Sequence, residues 1–388
     1  MMNQGQEFRL LCSVAAVELS PERVARIATA IKAGIDWKEF LRLTEHHGIL
    51  PLAARNLKAA PGVPPEIVQS LDSAFETNVR RNLWFASELA RIASHFDAKR
   101  IRAVSYKGPL LAESVYGDVA LRNFGDLDFL IAPADLGAAK SALAELGYRP
   151  SEELSPATER FWQRYGYERS FDSAAGKYLV ELQWGLTPHF FAVDLRAEGL
   201  LHRSRPVMVG GQRVWSLSPE DTLLVLCLHA AKHLWMRLIW LCDIAETIRT
   251  QAIDYALVLN RAQSLGILRI MQLSFWLTHQ LLDGTVPPSA REIVLRDEGL
   301  QALGDMLGAR LARCATYDFE SMEYFSWIPR LRERPTDRSR YWWRLAWTPG
   351  VGDLAAVSLP PSMYPLYRIV RMARLVRRFA LPSASRKP

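Results

Sequence analysis

The stretch LRNFGDLDFLIA, residues 121–132, decides how this chain is read. Asp126 and Asp128 stand two apart, just ahead of the apolar run Phe129-Leu130-Ile131-Ala132. On a strand alternate side chains share a face, so the two carboxylates project together, roughly 7 Å apart at the backbone. Like charges held that close repel unless a cation lies between them. Two readings follow: a divalent metal held by the pair, or a solvated polar loop running into a buried strand.

The neighbours bear on the choice. Upstream, VSYKGPLLAES places Lys107-Gly108-Pro109 where a strand gives way to a helix. A helix N-terminus presents free backbone N–H groups and a positive dipole end, which together make an anion site. Gly108 lets the backbone come close, Pro109 suits a first helical turn, and Lys107 adds a full charge. Arg122, four residues before Asp126, supplies a second cation. Downstream, the alternation in YLVELQW puts Val180, Leu182 and Trp184 on one face and Glu181 and Gln183 on the other, so a third carboxylate joins the pair. Phosphoryl transfer from a nucleoside triphosphate needs this set. Metal ions bridge phosphate oxygens, cations and amides hold the leaving pyrophosphate, and a third acid holds the second metal or takes the acceptor's proton.

The segment YKGPLLAESVYGDVALRNFGDLDFLI, with VELQW, LLVLCLHAAKHLWMRLIWLCDI and the earlier DWKEFLRLTEHHGILPL, resembles the uncharacterised nucleotidyltransferase-like family within the DNA polymerase β nucleotidyltransferase superfamily. The resemblance covers roughly residues 20–280. It implies Asp126 and Asp128 as metal ligands, Glu181 as the third carboxylate, and Lys107 and Gly108 at the triphosphate. It also implies Mg²⁺ as cofactor, two ions in all, with Mn²⁺ as a substitute. Three positions depart from the wider superfamily: Lys107-Gly108 replaces Gly-Ser or Gly-Gly, Glu181 stands where Asp is commoner, and Gln183 stands where relatives often carry His.

The rest of the sequence sets the frame. A chain of 388 residues, 49% hydrophobic and 23% charged, can bury a sizeable core and is not disordered in composition. Cys12, Cys227, Cys242 and Cys314 are widely spaced, without a CxxC pair, which argues against a disulfide framework and fits a reducing compartment. No window has the run of apolar residues a membrane span needs, and a cytoplasmic location is expected. Residues 1–100 read as a helical region, 101–217 as an α/β core on a mixed sheet, 218–330 as a helical lobe, and 331–388 as a loop-rich segment ending in a basic helix over roughly 363–380. The expected fold is thus α+β, with a polymerase-β-like nucleotidyltransferase core flanked by helical regions. Within the core, strands are predicted at IRAVSY, LDFLIA, Tyr167–Phe171, Tyr178–Trp184 and across PVMVGGQRVWSL, with Gly210-Gly211 as a hairpin turn.

Other side chains have both a structural and a functional reading. His229 and His233 lie four apart in HAAKH, on one helix face, without the glutamate or third ligand of a zinc site. They and Lys232 are expected to pack against the sheet or line a substrate cleft, as is Gln183. Asp243 either orients an imidazole or makes a buried structural contact. His46-His47 at a helix end suit the helix dipole. Trp342, Trp343 and Trp347, beside Arg340 and Arg344, fit core packing or contact with a base or lipid. From Tyr364 to Pro388 there are seven Lys or Arg and no acid, and the remainder of the +7 chain is close to neutral. On a helical wheel Arg368, Arg371, Arg374, Arg377 and Arg378 gather opposite Leu366, Ile369, Met372, Val376, Phe379 and Ala380. This helix either docks its apolar stripe on the protein, lies on an anionic membrane, or contacts another acidic partner such as RNA.

The expected function is transfer of a nucleoside monophosphate from a triphosphate such as ATP to an acceptor oxygen on a protein, peptide, RNA or saccharide. Two other readings stay open: a metal-dependent nucleotide-sugar glycosyltransferase, and a non-catalytic module that binds a nucleotide or partner.

Overall fold

The computed structural model describes residues 5–319 and 321–380. Five helices come first: α1 (Gln6–Val14), α2 (Pro21–Lys32), α3 (Trp37–His47), α4 (Leu50–Leu57) and α5 (Pro65–Ala98). Their ends are set locally. Ser20 accepts the Arg23 N–H at the start of α2, Asp36 accepts that of Glu39 at the start of α3, and Gly48, at φ +71°, closes α3 in the left-handed region.

The chain then builds a seven-stranded mixed sheet from β1 (Val104–Ser105), β2 (Leu127–Leu130), β3 (Arg149–Pro150), β4 (Glu168–Ser173), β5 (Gly176–Gln183), β6 (Arg205–Val209) and β7 (Gln212–Ser216). The spatial order is β3-β4-β5-β2-β1-β7-β6. β2 runs parallel to β5 and β1 parallel to β7; the other neighbours are antiparallel. Four helices interleave with the strands: α6 (Gly108–Tyr116), α7 (Leu136–Glu145), α8 (Pro156–Tyr165) and α9 (Ala197–His202). The architecture is α+β, and the strands and the Gly210-Gly211 turn lie where alternation puts them. β3, α8 and α9 are additional elements. In α8 Trp162 packs against the sheet's core, and Ser155 caps the helix, accepting the Thr158 N–H.

Strand alternation divides the sheet's two faces. Leu127, Phe129, Ile131, Val180, Leu182 and Trp184 pack against Phe85, Leu89, Ile92 and Phe96 of α5 and Leu136, Ala139 and Leu143 of α7. Residues of opposite parity, Tyr106, Asp128, Glu181 and Gln183, share the other face.

A helical region follows: α10 (Pro219–Lys232), α11 (Leu238–Thr250), α12 (Tyr255–Ser264), α13 (Leu268–Leu282), α14 (Pro288–Arg296), α15 (Glu298–Ala312), α16 (Met322–Arg330), α17 (Pro335–Trp347), α18 (Val351–Ala356) and α19 (Tyr367–Ala380). The run opened by Ser218 breaks between α10 and α11, where Leu234 and Trp235 both adopt φ +50°. Such a backbone costs non-glycine residues of order 1–3 kcal/mol each. Burial holds it: Trp235 is fully enclosed, and its indole N–H donates to Ser274 Oγ at 3.1 Å. One expectation is corrected here. The stretch after residue 331 is not loop-rich, because Pro335 begins α17 and Tyr341 and Leu345 anchor it in the core. Proline at a helix start is compatible with the helix that follows.

Among the described residues no helix is long and apolar enough to cross a membrane.

Candidate active site

Register brings the acids together. In the parallel β2–β5 pair Asp128 lies directly opposite Glu181. Gln183 joins them: its Nε2 donates to Asp128 Oδ1 at 2.9 Å and to Glu181 Oε2 at 3.0 Å. The tyrosine hydroxyl of Tyr106 donates in turn to Gln183 Oε1, which fixes the amide's orientation. Asp126 stands just before β2, half-buried, and its carboxyl is pushed above the ordinary range by burial and by the Asp128 charge. Glu181 is pushed up to about 8, first by burial, then by Asp128 and Glu168, with Lys107 pulling the other way.

Glu168 is an acid that reading the sequence passed over. It sits opposite Gln183 in the antiparallel β4–β5 pair, so it shares the acidic face. The signal was present, since a strand was predicted from Tyr167 and its alternation puts Glu168 in step with Ser170. A cavity of about 420 Å³ opens beside it, lined among others by Glu152, Glu153, Thr158, Trp162 and Leu354.

Lys107 is buried among these acids, with its Nζ 3.0 Å from Asp128 Oδ1. Burial alone would lower its pKa, but Asp128, Asp126 and Glu181 together raise it. The expectation that Lys107 faces a triphosphate is therefore modified: its charge is spent on Asp128. Gly108 opens α6 at φ +58°, and a Cβ there would lie 3.3 Å from the Asp126 carbonyl oxygen. Glycine is needed both for that backbone and for the close approach of the α6 N-terminus to the acidic loop.

Arg122 lies near Asp126, whose carboxyl its charge pulls down, but it is hydrogen-bonded to another acid. Its Nε and Nη2 donate to the two oxygens of Asp243 at 2.8 Å each, and the Tyr116 hydroxyl donates to Asp243 Oδ1 at 2.7 Å. All three side chains are buried. Arg122 thus holds α11 rather than an open anion site, and Asp243 is its structural partner rather than part of a substrate cleft.

The C-terminal turn of α10 faces the acids. Lys232 has its pKa lowered by burial, against the pull of Glu168, and its Nζ lies 5.1 Å from the centre of the Tyr167 ring. His229 and His233 are held well below the ordinary imidazole value by burial and by the charges of Lys107 and Lys232, so both are neutral near pH 7. Their rings pack on one another at 4.8 Å and on Trp240.

The donor set fits a divalent cation. Four carboxylates (Asp126, Asp128, Glu168 and Glu181) gather around Lys107 and Lys232, and Asp128 Oδ2 is buried without a hydrogen-bond partner. An orphaned buried carboxylate oxygen is costly, and a hard cation with oxygen ligands removes that cost. A second group, His46, His47 and Cys314, has ligand atoms within 4.8 Å of one another. It does not fit a metal. His47 Nδ1 accepts the Leu238 N–H at 3.3 Å, so its proton sits on Nε2, which points at Cys314 Sγ 3.6 Å away. Burial lowers His47 to about 3, so it is not the cation at a helix end that its position suggested.

The sign of the Glu181 shift gives a measurable consequence. Its ordinary value is 4.5 and its folded value about 8, so between those pH values the folded chain holds the extra proton. Stability of the metal-free protein therefore falls as pH rises through this window. Glu181→Gln should raise metal-free stability at pH 8 by up to about 4 kcal/mol and have little effect near pH 4.5. Thermal melts in chelator across this range check it, and an equal difference at both ends would show that Glu181 is not the strained group.

The mixed sheet thus presents an acidic cluster on the paired strands β2 and β5, next to a glycine-opened helix. A sequence model of an uncharacterised nucleotidyltransferase family matches residues 33–283, and the chain belongs to that family. The match runs from α3 through α13 and includes the whole sheet. No curated protein matches the chain.

Proposed function

We propose that the protein is a Mg²⁺-dependent nucleotidyltransferase with a polymerase-β-like core, transferring a nucleoside monophosphate to an acceptor hydroxyl. The observation that carries this reading is the excess of carboxylate gathered around Lys107, with the buried Asp128 Oδ2 left unpartnered. Asp126 and Asp128 would hold both metal ions and Glu181 the one on the attacking side. When bound, the metal supplies Lewis-acid polarisation of the phosphate oxygens.

The remaining work falls to this chain's own groups. The acceptor oxygen forms a bond to the α-phosphorus in line with the bond that breaks, and pyrophosphate leaves with the bonding electrons. The acceptor proton passes to a carboxylate of the acidic face, Glu181 or Glu168. The α6 amides after Gly108 face the phosphates, and Lys107 shifts from Asp128 to the leaving group as the acids gain other counter-charge. Neutral His229 and His233 and the Lys232 amine close the cleft from α10. The acceptor enters beside Glu168, in the cavity that also meets α8 and α18.

The Lys107–Asp128 ion pair favours a second reading, a module that binds nucleotide or partner without chemistry. The glycosyltransferase reading gains nothing, since helices rather than a nucleotide-binding βαβ unit precede the acids. One experiment separates the readings: incubation with each α-labelled triphosphate, Mg²⁺ and a cell extract. Transfer predicts label on a macromolecule or small acceptor, lost in chelator. Tight calorimetric binding of Mg²⁺-nucleotide with no label transferred would support the binding module instead.

A further inference from the structure

The C-terminal helix docks the opposite way from its amphipathic pattern. Its apolar stripe was expected to meet the protein if the helix folded back. Instead two of its arginines turn inward. Arg371 is buried, donates to the Leu345 carbonyl at 3.2 Å and pairs with Asp353; Arg374 pairs with the same carboxylate. Asp353 is fully enclosed by this contact. The side chains of Arg378, Phe379 and Ala380, which completed the wheel, lie outside the described ones.

The consequence is an outward apolar face. Ile369 and Val376 are 64% and 60% exposed, and Met372 is exposed as well. They adjoin α17, where Trp342, Trp343 and Trp347 are exposed; Trp343, at 64%, stacks against Trp347 at 5.4 Å. Trp342, Leu345, Met372 and Val376 line a shared apolar groove of about 490 Å³. Exposed contiguous apolar surface of this kind marks an interaction site.

Charge selects the partner. From Pro335 to Ala380 there are eight arginines and two aspartates. Both aspartates are already paired internally, Asp353 as above and Asp337 with Arg332. Arg368 borders the face, its guanidinium 5.7 Å from the centre of the Trp347 ring, and Arg377 follows Val376 in sequence. Tryptophan and arginine around aliphatic side chains suit the headgroup layer of a bilayer, where rings and aliphatic stems enter the boundary and cations meet lipid phosphate. RNA would gain little from Ile369, Met372 and Val376, which offer no flat face for a base.

We infer that α17 and α19 form a peripheral membrane-binding face for anionic lipid. This inference does not depend on transfer chemistry. The face lies beyond the family match at residue 283 and adds a location to whatever the sheet does.

The test is co-sedimentation of the full chain with vesicles of phosphatidylcholine alone or with about 30% phosphatidylglycerol. Binding is expected to the anionic vesicles and to be released at high salt. Arg368→Gln/Arg377→Gln should weaken it about 25-fold, near fivefold per charge. Trp343→Ala/Trp347→Ala should weaken it at least ~10-fold through lost apolar insertion. Arg377, Trp343 and Trp347 are exposed and Arg368 is half-buried, and unchanged melting shows that the fold is intact. The inference is overturned if the wild-type chain stays in the supernatant, or if neither pair alters sedimentation. It is equally overturned if the face binds RNA but no vesicle, or if the tryptophan pair dissolves a dimer rather than a lipid complex.

Discussion

Replacing Asp126 with Asn should lower nucleotidyl transfer by at least ~10³-fold while leaving the chain as stable as the wild type or slightly more so. The two effects share one cause. Asp126 has its carboxyl pushed up by burial and by Asp128, so in the metal-free protein its charge is a liability. Asparagine keeps the shape and removes the repulsion. It also removes an anionic oxygen, and with it several kcal/mol of the charge stabilisation a divalent ion gives the transferring phosphoryl group. Asp128→Asn is a poorer probe, because it takes the counter-charge from buried Lys107 and confuses lost chemistry with lost folding. Label transfer and melting temperature, measured on the same preparation, check the prediction. Transfer at the wild-type rate would remove Asp126 from the metal site and with it the enzymatic reading. Loss of transfer together with a large fall in melting temperature would leave Asp126 a structural role only.

Much of this site was legible because strand alternation carries information about faces. The parity of Asp126 and Asp128, and that of Glu181 and Gln183 against Val180, Leu182 and Trp184, assigns acids and core to opposite sides from sequence alone. The strand predicted from Tyr167 carries Glu168, but only its pairing with β5 shows that this acid shares the face of Glu181 and Gln183. Pairing was not legible. Whether Arg122 meets a phosphate or Asp243, 121 residues away, depends on how α11 packs beside the core, and no local pattern encodes that. The same holds for Lys107, whose position next to Gly108 suggested an anion site but whose charge is set by what the sheet puts opposite it. The C-terminal helix shows the limit most clearly. Its wheel separates arginines from aliphatic side chains, but a buried acid, Asp353, turns Arg371 and Arg374 inward while Arg377 stays exposed beside Val376. Sequence periodicity reports amphipathicity; the direction of docking depends on partners far along the chain.

Arg122→Gln should destabilise the protein by about 3–5 kcal/mol, or roughly 5 °C in melting temperature, without a matching loss of nucleotide affinity in the fraction that remains folded. The bidentate pair with Asp243 is enclosed, and Tyr116 completes it, so the substitution strands a carboxylate and leaves a hydroxyl competing for it. A buried charge without its partner is far costlier than the pair is stabilising, because desolvation remains while the Coulombic return is lost. The combination Arg122→Met, Asp243→Leu and Tyr116→Phe removes every polar group of the cluster at once and should regain most of the lost stability. That recovery distinguishes the two roles given to this arginine. A structural clamp joining the loop before Asp126 to α11 can be replaced by apolar packing, whereas a phosphate-binding guanidinium cannot. If Arg122 gripped the triphosphate, the single substitution would weaken nucleotide binding in calorimetry at unchanged melting temperature, and the apolar triple variant would restore nothing.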